Sequence, residues 1–135
     1  MRLEIVTPEG KTFGDDVDGT IVIPGSEGEM GLMVNHAPLI SALKPGELRY
    51  TKDGEERAVA VGDGIVEVGP NHVSVLTDLA VGEADIDEDA VEKALERAQA
   101  ALKEDGGSEE RAAAEASMMK SIAMLEVARR RGKRS

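Results

Sequence analysis

The stretch GSEGEMGLMVNHAPLISALKPG, residues 25–46, decides the fold. Gly25, Gly28 and Gly31 bracket a short polar loop that leads into an apolar run, a spacing suited to a tight turn between strands. Asn35-His36-Ala37-Pro38 breaks the chain, and Leu39 to Leu43 then runs apolar into the Pro45-Gly46 turn. The same rhythm holds on both sides. Leu3 to Thr7 ends at Pro8-Glu9-Gly10, and Thr20 to Ile23 ends at Pro24-Gly25. Leu48 to Lys52 and Arg57 to Val61 flank Asp53-Gly54, a hairpin signal because both turn positions tolerate positive φ. Ile65 to Val68 and Val73 to Thr77 flank Gly69-Pro70-Asn71-His72, a second hairpin. Turns at roughly eight- to twelve-residue intervals, with no helical period between them, predict an antiparallel β-sandwich or barrel over residues 1–84.

From Asp85 the period changes. Asp85 is placed to cap a helix, with Glu88 completing a capping box. Val91, Ala94, Leu95, Ala98 and Leu102 fall on one helical face, while Glu92, Lys93, Glu96, Arg97 and Lys103 lie largely off it. Gly106-Gly107 is the expected stop, and Ser108 the expected cap of a second helix whose apolar stripe is Ala114, Met118, Ile122 and Leu125. So short a connection predicts an antiparallel helical hairpin over residues 85–135. Its alanine-rich contact buries little area, so the hairpin is expected to be loosely held.

Composition narrows the function classes. Hydrophobic residues make up 41% of 135, but with one Phe, one Tyr and no Trp the core must be aliphatic. No apolar run is long enough for a transmembrane segment, and MRLEIVT lacks a signal-peptide core. There is no cysteine, hence no disulfide or thiolate chemistry. A net charge of −11 argues against nucleic acid as a partner. The charge is unevenly spread: the last seven residues, RRRGKRS, hold five of the 16 basic side chains and no acid. Arg129, Arg130, Arg131, Lys133 and Arg134 thus form a basic tail on an acidic body, a pattern that addresses an acidic partner.

Nothing in the spacing assembles a catalytic centre. The two histidines, His36 and His72, stand in no metal-binding motif, there is no G-x-S-x-G, and the glycine run lacks the Lys-Ser/Thr of a phosphate loop. The carboxylates lie mostly in turns and on helix faces, where solvated surface is the ordinary reading. No catalytic residue and no metal ligand is assigned.

The G-S-x-G-E-hydrophobic-G pattern, the H-A-P-L four residues later and the closing K-P-G resemble the signature of the epsilon subunit of the bacterial F-type ATP synthase. The likeness extends through the two-helix C-terminus. It implies a non-catalytic subunit of the central rotor stalk that binds the gamma subunit and the membrane rotor ring. It also implies that the subunit couples proton-driven rotation to ATP synthesis, and that its C-terminal helices restrain ATP hydrolysis by the catalytic head subunits. The expected place is the cytoplasmic face of a bacterial inner membrane, with a chloroplast-encoded version as the other source. Glu29 would face basic loops of the ring, His36 would be a contact on an exposed loop or the closing residue of a turn, and the basic tail would meet an acidic loop of the head.

Many members of that family bind ATP between the helices through I/L-D-x-x-R-A. Here Ile86 and Asp87 match, Ala90 stands in place of the arginine and Val91 in place of the alanine, while Arg97 aligns with a second family arginine. In the second helix, Lys120 and Met124 stand where ATP-binding members have arginines. Loss of these bidentate phosphate donors, beside Glu88 and Asp89, leaves the motif degraded, and no cofactor is expected. Two readings from other classes remain open on residues alone. One is a free-standing ligand-binding β-sandwich with a helical dimerisation hairpin, although scarce aromatics tell against sugar binding. The other is an enzyme using carboxylate chemistry.

Overall fold

Asp53 and Gly54 have φ of 53° and 81°, and Lys52 pairs with Glu55 directly across them. This is the two-residue hairpin expected from the Asp-Gly pair. The computed structural model describes residues 1–10, 12–104 and 107–134, with Thr12 and residues 131–134 described in backbone only.

Among the described residues ten strands come first: β1 (Arg2–Val6), β2 (Thr12–Asp16), β3 (Asp18–Gly25), β4 (Gly28–Leu32), β5 (Leu39–Leu43), β6 (Gly46–Lys52), β7 (Glu55–Val61), β8 (Gly64–Val68), β9 (His72–Thr77) and β10 (Ala80–Gly82). A single 3₁₀ turn, Glu83–Asp85, leads to α1 (Glu88–Lys103) and α2 (Ser108–Arg134). The strands pair in the order β10-β7-β6-β3-β5-β8-β9-β1-β2, with β4 branching off β3. All pairs are antiparallel except β1 with β9. The sheet wraps around one core of Leu3, Ile5, Ile21, Ile23, Leu48, Val66, Val73 and Val75 among others, aliphatic as composition demands.

Two strands differ from the sequence expectation. β2 is TFGDD, which has little apolar alternation; it is held by its full ladder with β1. The glycine loop is narrower than expected, because Gly28 to Leu32 form β4 and only Ser26 and Glu27 turn. Gly28, at φ 127°, takes the backbone conformation that an L side chain rarely adopts. Glu29 therefore stands on a strand opposite Pro24 rather than on a loop.

β7 is buried on both faces over Ala58 to Val61. Val59 and Val61 point into the sandwich core, while Ala58 and Ala60 belong to a second core with Ile86, Val91, Leu125, Val127 and Ala128. This is the period of a strand read twice, once by each layer. α2 packs on β6 and β7 as well as on α1, whereas α1 packs chiefly on α2.

The helix boundaries also shift. Asp85 ends the 3₁₀ turn, and the cap of α1 is Asp87, whose carboxylate accepts from the Ala90 amide at 3.2 Å. α1 ends at Lys103, where the Glu104 amide bonds the Ala101 carbonyl at 3.2 Å. Gly106 lies outside the described residues. Ser108 is the first residue of α2 rather than its cap. That place falls to Gly107, whose amide is bonded by the Glu110 carboxylate at 2.6 Å, half of a capping box. Arg111 donates to the Leu102 carbonyl at 3.0 Å and ties the two helices at their junction.

The expected stripe of α2 is partly corrected. Ala114 and Leu125 are buried, but Ile122 is 37% exposed, and Ser121, Ala123, Val127 and Ala128 are buried instead. The cause is that α2 has two covered faces. Ala114, Ser121, Leu125 and Ala128 recur at heptad spacing on one, and Ala123, Val127 and Arg130 at i, i+4, i+7 on the other. The contact is thus broader than a single alanine stripe, and the hairpin is held by the sheet as well as by its own two helices. The helix also continues through Arg134, so the basic residues belong to it rather than follow it.

Candidate functional site

The side chains of interest gather where the β3–β4 and β5–β6 turns meet the last turns of α2. Between them lies a cleft of about 900 Å³, lined by Pro24, Glu29, Lys44, Glu47, Arg49, Ile122 and Arg130 among others. Alternation along β6 sends Leu48 and Tyr50 into the core and leaves Glu47 and Arg49 on the outer face, opposite Ala60 and Ala58. An acid and an arginine two residues apart on a strand share a face, which was the available signal for a pair that sequence reasoning passed over.

Four charges form a chain across this cleft. Arg49 Nη1 donates to Glu29 Oε2 at 2.9 Å and to Glu47 Oε1 at 3.1 Å. Arg130 Nε lies 2.6 Å from Glu47 Oε1 and 2.8 Å from Oε2. Glu47 is the buried member, its side chain 6% exposed, while that of Glu29 is 59% exposed. Partial burial works against the charge on Arg49, but its bonds to Glu47 and Glu29 outweigh it and hold the guanidinium above its ordinary pKa.

The adjacent arginine does something different. Arg129 faces α1, 3.8 Å from Glu92, so it acts within the hairpin whereas Arg130 reaches the sandwich. The side chains of Arg131, Lys133 and Arg134 lie outside the described residues. A further tie joins α2 to the sandwich at Lys120, 2.9 Å from Asp78 in the β9–β10 turn. His36 is partly exposed, and its Nδ1 donates to the Ala37 carbonyl at 2.8 Å. It stands at the end of a turn in which its own amide bonds the Met33 carbonyl at 3.0 Å and Asn35 has φ 68°. The cleft does not include His36.

The sheet also presents apolar side chains that the sequence did not single out. Ile40, Ile65 and Leu76 are all more than half exposed on β5, β8 and β9. Ile65 pairs directly with Leu76, and Ile40 lies two pairs from Ile65 along the β5–β8 ladder. Met33 and Val34, beside His36, are exposed as well. Alternation marks them in hindsight, because Val66 and Val75 next to them in sequence fill the core. Among the described residues, no group of three His, Asp or Glu is arranged to hold a metal ion, and no helix is long and apolar enough to cross a membrane.

The model of the ATP synthase delta/epsilon chain β-sandwich domain matches residues 1–83, and that of the delta/epsilon long α-helix domain matches residues 84–129. The chain belongs to the ATP synthase delta/epsilon family. It is similar to the ATP synthase epsilon chain of Shouchella clausii, at 36% identity over 98% of this chain and 97% of that one. It is likewise similar to the ATP synthase epsilon chain 1 of Methylococcus capsulatus, at 40% identity over 93% and 89%. A chain in the cryo-EM structure of the Euglena gracilis mitochondrial ATP synthase shares 27% identity and superposes with a TM-score of 0.77, over 93% of this chain and 79% of that one. A chain of the Tetrahymena thermophila mitochondrial enzyme, at 15% identity and a TM-score of 0.58, shares the fold.

The residues of the degraded motif read in the sequence lie at the start of α1 and along both helices. Asp87 spends its carboxylate on the α1 cap, Ala90 occupies the third position of that helix, and Arg97 lies exposed on α1. Lys120 is engaged with Asp78. The first turn of α1 carries Glu88 and Asp89, both repulsive to phosphate.

Proposed function

We propose that the chain works as a non-catalytic subunit on the central stalk of a proton-translocating ATP synthase, coupling rotation to ATP synthesis and restraining ATP hydrolysis through its helices. The observation that carries this is family membership along the whole fold, sandwich and helices together. Residues 1–84 make the contacts with the gamma subunit and the membrane rotor ring, and residues 85–135 are the regulatory unit facing the catalytic head. Glu29, exposed at the edge of the cleft, meets basic groups of the ring, and His36 lies with Met33 and Val34 on the same contact turn. The exposed Ile40, Ile65 and Leu76 supply an apolar face for the stalk. The assembly sits at the cytoplasmic face of a bacterial inner membrane. No regulatory nucleotide takes part, and a free-standing ligand-binding module is favoured by no observation.

The test is reconstitution. Complexes stripped of this chain are rebuilt into proton-tight vesicles with the full chain or with residues 1–84. The full chain restores proton-driven ATP synthesis and lowers ATP hydrolysis; the truncated one restores synthesis but leaves hydrolysis high. Rebuilt and chain-free complexes that synthesise ATP equally well would refute the coupling role. Equal hydrolysis with either form would refute the regulatory one.

A further inference from the structure

The four-charge chain Glu29–Arg49–Glu47–Arg130 joins two places with different tasks in the proposed function: the edge that meets the ring and the helices that restrain hydrolysis. We infer that it is a relay, through which capture of Glu29 by a basic partner group loosens the hold of Glu47 on Arg130 and favours release of α2. The inference deepens the regulatory reading above and rests on it.

The argument begins at Glu47. Its carboxylate lies under α2, and a carboxylate so placed is costly without a cation. Among the described side chains, its partner on the helix is Arg130, whose Nε lies within 2.8 Å of both its oxygens. Folding down therefore places Arg130 on Glu47, and lifting the helix opens Glu47 to water. Arg49 is shared. With its Nη1 divided between Glu29 and Glu47, two cations and two carboxylates are balanced. A basic group that takes Glu29 for itself leaves Glu47 as the one carboxylate bonded directly to both Arg49 and Arg130, with Glu56 and Glu126 elsewhere on the cleft wall. Repulsion between the two guanidinium groups then falls on the member that is free to leave, which is Arg130. By linkage, a released helix makes Glu29 the main partner of the ring and a docked one makes it a weaker one.

The experiment reads helix position in the full chain. The chain has no cysteine, so Glu67→Cys on β8 and Ser117→Cys on α2 carry the only spin labels. Distance distributions are recorded for the parent pair and with Arg130→Gln, Glu29→Gln and Arg129→Gln added. Arg130→Gln is expected to raise the detached fraction about tenfold, as loss of a hydrogen bond to a charged group implies. Glu29→Gln, which mimics capture of that charge, is expected to raise it about two- to fivefold, in keeping with a partly exposed pair. The Glu29→Gln effect should vanish in an Arg49→Met background, and Arg129→Gln should leave the sheet contact alone. An unchanged distribution on Arg130→Gln or on Glu29→Gln overturns the relay, as does a Glu29→Gln effect that persists without Arg49. Arg130 is 45% exposed and Glu29 more so, so these variants keep the fold. Hydrolysis by the assembled enzyme is measured separately. A helix that detaches as expected while hydrolysis stays constant upholds the relay and refutes the regulatory role of the helices.

Discussion

Val127→Ala isolates the contact that holds α2 on the sheet. Val127 is fully buried and shares a helix face with Ala123 and Arg130, the face turned to β6. The substitution removes two carbons, worth about 1.6 kcal/mol at roughly 0.8 kcal/mol per buried methylene. An unrelaxed cavity adds to that, to about 3 kcal/mol in all. If α2 opens as a unit while the sandwich stays folded, the opening constant of its amides rises about 15- to 150-fold. The assay is native-state hydrogen exchange on the amides of residues 120–130. Val75→Ala is the control, since Val75 is buried in the sandwich core, which is intact whether or not the helix is docked. It should lower global stability and leave α2 opening unchanged. Ile122→Ala, at a side chain 37% exposed, removes three partly buried carbons without leaving a closed cavity and should move α2 opening by about 1.5 kcal/mol, roughly half the full Val127 effect. Equal effects of Val75→Ala and Val127→Ala on α2 would refute the reasoning, for they would mean that helix and sandwich open only together.

Glu29→Lys should lower proton-driven ATP synthesis in reconstituted vesicles while the isolated chain keeps its melting temperature within a few degrees, because the side chain is exposed and only its bond to Arg49 is lost; undiminished synthesis in a normally assembled complex would contradict it. Isothermal titration with ATP should give no binding at micromolar concentration, and restoring Ala90→Arg alone should not create it while Lys120 remains on Asp78. The single tyrosine makes a pH test simple. Burial raises the pKa of the Tyr50 phenol and outweighs the lowering influence of Arg57 and Lys52, with a smaller upward contribution from Asp15. Absorbance titration should therefore show ionisation above the ordinary value of about 10 in the folded chain and a return to it in denaturant. The sign follows: the folded state holds this proton more tightly, so its contribution to stability is complete below the unfolded pKa and is lost as pH rises through the folded one. Titration at the same pH in both states would contradict the burial.

The sandwich was legible because each strand carries one apolar face and ends in a residue with a backbone preference, as at Pro8 and Asp53-Gly54. The family resemblance rested on the turns around residues 25–46, and it held. What stayed hidden depended on register. β2 forms through its partner β1, since TFGDD has little apolar signal of its own. β4 hid behind its glycines, so Glu29 read as a loop residue. Ala58 and Ala60 look like neutral strand residues until a helix lies over them. Glu47 and Arg49 were visible as an alternating pair, yet their meaning required Arg130, 83 positions away from Glu47 in sequence. Asp87 rather than Asp85 caps α1 because the 3₁₀ turn takes up the preceding residues, a choice between two equally suitable acids that local sequence leaves open.

β7 carries methyl groups on its outer side and isopropyl groups on its inner side, and this sets what kind of surface would be bared if α2 left the sheet. Ala58 and Ala60 offer water a shallow, smooth strip on a strand whose edges are already paired with β6 and β10. Such a strip gives another chain neither a pocket to fill nor free backbone groups to extend. A sandwich bared in this way should therefore stay soluble and monomeric. A leucine at either position would prop the helix away in one state and make the molecule adhesive in the other, so this side of β7 is limited to the size of alanine by two opposite demands at once.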